Sequence, residues 1–111
     1  MEWEICYYSE TIQEEILSFP PGIQARYIHL TERMKIYGAN LGMPHTKPMK
    51  DGLFELRMKS KEGIGRVFYC TLINQKIIML HSFIKKTQKT PPRELKTAIS
   101  RMKEAKSNVD T

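Results

Sequence analysis

Hydrophobic and polar positions recur at two different periods along this chain, and the changes of period mark its elements. Residues 3–8, WEICYY, are rich in aromatic and β-branched types and predict a short strand. Ser9 is placed to cap a helix, and Glu10 puts negative charge in its first turn. Ile12, Ile16 and Leu17 then share one helical face. Pro20-Pro21 ends this helix, because each proline lacks a backbone donor and restricts the residue before it. A second helix follows at once. Ile23, Tyr27, Leu30, Met34 and Tyr37 recur at steps of four, three, four and three, and Gly38 closes the stripe as a C-terminal cap. The pair predicts a helical hairpin.

Residues 39–51, ANLGMPHTKPMKD, hold two prolines, a glycine and no periodicity, and read as a loop. The period then changes to two. In LFELRMK (53–59), Phe54, Leu56 and Met58 fall on one face and Glu55, Arg57 and Lys59 on the other. SKEG reads as a turn, IGRVFYCTL (64–72) as a second strand, INQK as another turn and KIIMLHSF (76–83) as a third strand. The last two are almost continuously apolar, as strands are when both sheet faces are covered. Short turns make these neighbours antiparallel. After a lysine-rich loop, Thr90 is placed to cap a last helix with Pro91 at its first position and Leu95, Ala98, Ile99 and Met102 on its apolar face. Residues 107–111 should fray. The element order is β-α-α-β-β-β-α. It predicts a single α+β domain with a four-stranded, mostly antiparallel sheet, since the first strand must pair somewhere.

The length of 111 residues suits one domain with one core, and 41% hydrophobic residues are enough to fill it. A net charge of +6 and a pI near 9.4 favour an anionic partner without choosing among nucleic acid, acidic protein and membrane surface. Cys6 and Cys70 lie in separate apolar runs, as buried thiols of a reducing compartment do, and no CxxC or HxxxH spacing suggests a metal site. No stretch approaches a membrane span, and MEWEICYY is unlike a signal peptide, so the expected location is the cytoplasm with no membrane partner.

The candidate chemistry is cationic. Arg57 lies on the polar face of its strand, Arg66 interrupts an apolar run, and Lys85, Lys86 and Lys89 follow the last strand. A guanidinium cannot neutralise itself, so Arg66 must meet water, an internal partner such as Glu55, or a bound anion. A cluster of Arg and Lys on a sheet suits a phosphodiester. In RNA cleavage the 2′-oxygen attacks phosphorus and negative charge grows on the phosphate, where fixed cations stabilise it. Crowded cations also lower one another's pKa, which fits a lysine for proton transfer. Such chemistry calls for neither metal nor cofactor. His81 is a candidate proton donor, or else a hydrogen-bonded structural residue. His45, beside Lys47 and Lys50, reads as a solvent-exposed loop histidine with the alternative of approaching a substrate. Tyr69 and Phe83 suit core packing or base stacking. Lys85, Lys89, Lys59 and Arg93 are candidate RNA contacts.

YGANLGMPHTKPM (37–49), DGLFELR (51–57), RVFYC (66–70) and IIMLHSFIKKTQKTPPRE (77–94) together resemble the phage-derived Gp49-like branch of the RelE/HigB toxins. The element order is similar to the RelE/ParE fold over nearly the whole chain. The resemblance implies the toxin of a type II toxin–antitoxin pair, an enzyme that cleaves mRNA on the ribosome. It further implies a helix-turn-helix, HigA-like antitoxin through which the pair meets operator DNA. ParE relatives instead inhibit DNA gyrase, and a non-catalytic basic binding module is a third alternative. By this resemblance Arg66 matches the arginine that contacts the scissile phosphate, Lys86 the basic residue after the last strand, and Arg57 the arginine of the ELR motif. His81 and Lys85 belong to the branch's H-x-F-x-K-K pattern. The tyrosine near the C-terminus of RelE and the histidine-rich end of HigB have no counterpart, which leaves the general acid unassigned.

Overall fold

A computed structural model of the chain describes residues 2–85 and 89–109. β1 (Glu4–Tyr7) leads into α1 (Glu10–Leu17), whose first turn is capped by Ser9: its hydroxyl accepts from the Ile12 amide at 3.2 Å. α2 (Pro21–Tyr37) starts on its own proline and ends at Gly38, which has φ 99° and donates its amide to the Met34 carbonyl. Ile23, Tyr27, Leu30 and Met34 are buried as the stripe predicts. Tyr37, the last residue of the helix, is not, at 73% exposed. The expected hairpin is a close succession of two helices that each rest on strands: α1 on β1 and β5, α2 on β1, β3 and β4.

The sheet has five strands, not four, in the order β1-β5-β4-β3-β2. The extra strand, β2 (Thr46–Pro48), lies inside the segment expected to be a loop. It is an edge strand three residues long, and its proline needs no ladder partner there. β3 (Phe54–Ser60), β4 (Gly63–Leu72) and β5 (Lys76–Lys85) form the antiparallel meander. β5 runs two residues beyond its expected end, so Lys85 is paired in the sheet opposite Ile64. β1 joins β5 in parallel, Glu4 opposite Lys76, which makes the sheet mixed.

α1 and α2 cover one face of the sheet, over Leu56, Met58, Val67, Tyr69, Ile77 and Met79. α3 (Pro92–Val109) covers part of the other, over Phe68, Cys70 and Leu80, with Ala98, Met102 and Ala105 pointing inward. It begins one residue later than expected. The Pro91 carbonyl accepts from the Glu94 amide at 3.0 Å, while the Thr90 hydroxyl turns to Glu55 instead of capping the helix. α3 reaches Val109, so residues 107–109 are helical where a frayed tail was expected.

One irregularity decides which side chains meet. Phe68 pairs with His81 but Tyr69 pairs with Met79, leaving Leu80 as the extra residue of a β-bulge. Leu80 and His81 therefore both face α3. Beyond the bulge, Phe83 and Lys85 stand on that same face, opposite Arg66 and Ile64. Without it, strict alternation would turn His81, Phe83 and Lys85 under α1 and α2.

Candidate functional site

α3 leaves the β3–β4 hairpin end of its face uncovered, and the basic residues gather there. Arg57 and Arg66 are direct cross-strand partners, so their side chains stand on the same face of the sheet. Like charges in that arrangement repel. A single carboxylate, Glu55, lies in ion-pair range of both: its Oε1 is 3.9 Å from Arg57 Nε and 3.6 Å from Arg66 Nε. Both distances are too long for hydrogen bonds. Arg66 is only 2% exposed, and its Nε and Nη1 have no hydrogen-bond partner among the described residues. Burial and the neighbouring Arg57 work against its charge and Glu55 supports it; a guanidinium nonetheless stays protonated. Two arginines thus share one negative charge, and Arg66 retains unused donors.

Lys85 adds to this excess. Burial, then Arg66 and Arg57, with Lys47 further off, hold its pKa below the ordinary lysine value against the opposing pull of Glu55. Lys47 stands opposite Glu55 on β2 and Lys59 opposite Ile64 on β3, which completes a cationic patch across four strands.

A cleft of about 230 Å³ opens beside the arginine pair, lined by Arg26, Pro44, His45, Arg57, Lys59, Ile64 and Arg66, with no carboxylate in its wall. His45 is held at the sheet edge, where its carbonyl accepts from the Arg57 amide at 2.9 Å. It is half-buried rather than solvent-exposed. Partial burial and the approach of Arg33, Arg26 and His29 from α2 lower its pKa below 6.5, so its imidazole is neutral at neutral pH. The wall of the cleft therefore combines fixed positive charge with a proton acceptor.

The family described as "Phage derived protein Gp49-like" matches residues 14–103, which hold every residue of this cleft. The chain belongs to the Gp49-like family. That family is one of RelE/HigB-type toxins, so membership points in general to the toxin of a toxin–antitoxin pair and to an antitoxin as its partner. No curated protein matches the chain.

Within this Gp49-like domain the expected site residues separate into groups. Arg57, Arg66, Lys59 and Lys85 converge. Lys86 lies outside the described residues. Lys89 is exposed beside Thr90, whose hydroxyl is 3.4 Å from Glu55 Oε2. His81 is engaged elsewhere. Its Nε2 is 3.1 Å from Glu94 and its Nδ1 3.2 Å from Arg101 Nη1, so the ring donates to the carboxylate and accepts from the guanidinium. Arg101 also donates to the Leu80 carbonyl and lies over the Tyr8 ring, so His81 takes part in fastening α3 to β5. Arg93 lines a separate depression with Tyr8, Lys96, Thr97, Arg101 and Glu104. Tyr69 and Phe83 are packing residues: Tyr69 stacks on Phe54 at 5.4 Å and donates to the Ala39 carbonyl, and Phe83 meets Phe68 at 5.6 Å. Arg26 escaped the sequence reading because a charge beside a helical core stripe looks like any solvated face. Among the described residues no group of three or more His, Cys, Asp or Glu is placed to hold a metal ion. No helix among them is long and apolar enough to cross a membrane.

Proposed function

We propose that this Gp49-like toxin is an endoribonuclease that cuts mRNA during translation and is neutralised by its antitoxin. The observation that carries this reading is the cross-strand Arg57–Arg66 pair with only Glu55 between them: a cationic surplus shaped for a dianionic phosphorane. Arg66 and Arg57 hold the scissile phosphate. Neutral His45 takes the proton of the 2′-hydroxyl as its oxygen bonds to phosphorus. The P–O5′ bond breaks, Lys85 gives a proton to the departing oxygen, and the products are a 2′,3′-cyclic phosphate and a 5′-hydroxyl. Lys59 steadies the flanking backbone. Lys86, on the family pattern, and Lys89, on its place in the lysine-rich loop, remain expected phosphate contacts.

Induction of the chain in bacteria without its antitoxin should arrest growth, with new 5′ ends on translated mRNA detected by primer extension. Arg66→Ala should lower cleavage about 100- to 1,000-fold, the usual effect of removing one transition-state donor, and Arg57→Ala and Lys85→Ala should also relieve arrest. A folded Arg66→Ala protein that still arrests growth and cuts mRNA would sink the assignment. Arrest without cleavage, together with loss of DNA supercoiling by gyrase, would make the chain a ParE-like inhibitor instead.

A further inference from the structure

The cleft does not stop at the sheet. Arg26 lines it from α2, next to Pro44 and His45, and its Nε is shielded from solvent with no hydrogen-bond partner among the described residues. Arg26, His29 and Arg33 succeed one another at steps of three and four, so they form one stripe along α2. Arg26 meets His45 in the cleft wall, and Arg33 on the same stripe is near enough to help lower the His45 pKa. The core stripe of the same helix is Ile23, Tyr27, Leu30 and Met34, so packing does not require the basic one. Glu32, the acid within the stripe's span, is paired at 3.1 Å with Lys35. A guanidinium that meets solvent-shielded space with an idle donor, in a wall without carboxylates, is arranged for an oxyanion.

We propose that α2 carries a second phosphate-binding subsite, in which Arg26, backed by Arg33 and His29, holds the RNA phosphate adjacent to the scissile one. This rests on the ribonuclease reading and extends it: the RNA crosses the β2–β3 edge and continues onto the helix. The adjacent phosphate then fixes the register of the strand over Arg57 and Arg66, and Arg26 acts by positioning the substrate.

Binding of a fluorescent single-stranded RNA 12-mer, measured against salt concentration in the Arg66→Ala background where cleavage does not interfere, tests the subsite. Adding Arg26→Ala should weaken binding about tenfold, the effect of losing one charge-assisted contact. It should also reduce the slope of log K against log salt by about 0.7, the value for one phosphate of a single strand. Arg33→Ala should act in the same direction to a smaller extent. Lys103→Ala, which removes a charge from the exposed side of α3, should leave the slope unchanged. Arg26→Lys keeps the charge and should keep the slope. Equal losses in the Lys and Ala variants would overturn the subsite, since packing and not charge would be responsible. An unchanged slope in Arg26→Ala, or no salt-dependent binding by the parent, would overturn it too. So would weakened antitoxin binding by Arg26→Ala with RNA binding intact. Growth arrest and mRNA cleavage, read separately on Arg66→Ala, decide whether the ribonuclease reading itself stands.

Discussion

Arg66 shows how one residue can be ambiguous in sequence and informative in structure. Its place in an apolar run made an internal partner and a bound anion equal readings, and the structure supplies a part of each: Glu55 is there, but at 3.6 Å and shared with Arg57. The pair is nearly dry, so breaking it is costlier than replacing it. Glu55→Ala should destabilise the fold by about 3–5 kcal/mol in urea denaturation, because it leaves a buried guanidinium without its counter-charge. Glu55→Ala with Arg66→Met should recover most of that loss, since neither charge remains. A cost below about 1 kcal/mol for the single change would mean that water already solvates Arg66. His81 runs the other way. It is conspicuous in sequence, yet both ring nitrogens are occupied by α3 residues that no local pattern relates to it.

At the scale of elements, the two periods of hydrophobicity located every helix and the three long strands, because each buries a full stripe or face. β2 was not legible: three residues with a proline carry no alternation, and only pairing with β3 makes them a strand. The bulge at Leu80 was also hidden, since alternation cannot be followed through a continuous apolar run. Yet it is the bulge that delivers Lys85 to the arginines. The hold of α2 on the sheet depends on a missing side chain. A Cβ at Gly65 would lie 2.6 Å from Ile23 Cγ2 and 2.9 Å from Met58 Cε. Gly65→Ala should therefore lower stability by about 1–3 kcal/mol, as overpacking does. Ile23→Leu in the same chain, which removes the Cγ2 branch, should restore part of it, and thermal melts of the single and double variants would read this.

Over the whole molecule, the positive charge that composition announced is concentrated where three strands, a strand edge and a helix meet. Its collective field moves two titratable groups in one direction. His45 and Lys85 both titrate below their ordinary values of 6.5 and 10.5, each through burial and surrounding cations. The proposed reaction requires His45 neutral and Lys85 charged. Its rate should rise with pH through a limb lying below 6.5 and fall through one lying below 10.5. Single-turnover cleavage across that range measures both limbs, and His45→Asn should remove the acidic one. An acidic limb unaltered by His45→Asn would assign the proton acceptor to another group. Composition foretold the charge and the motif segments foretold the family, but no one-dimensional pattern told that α2 would close one side of the cleft.

The parallel pairing of β1 with β5 sets an order of events on the ribosome that makes this chain. Glu4 waits for Lys76, and Arg66 for the bulged strand that brings Lys85. Until β5 has left the exit tunnel, the first strand has no neighbour and the cationic patch lacks one side. A nascent chain, however long it pauses short of that point, is not yet a folded toxin, and a message that ends before its final third encodes a sheet without its central pairing.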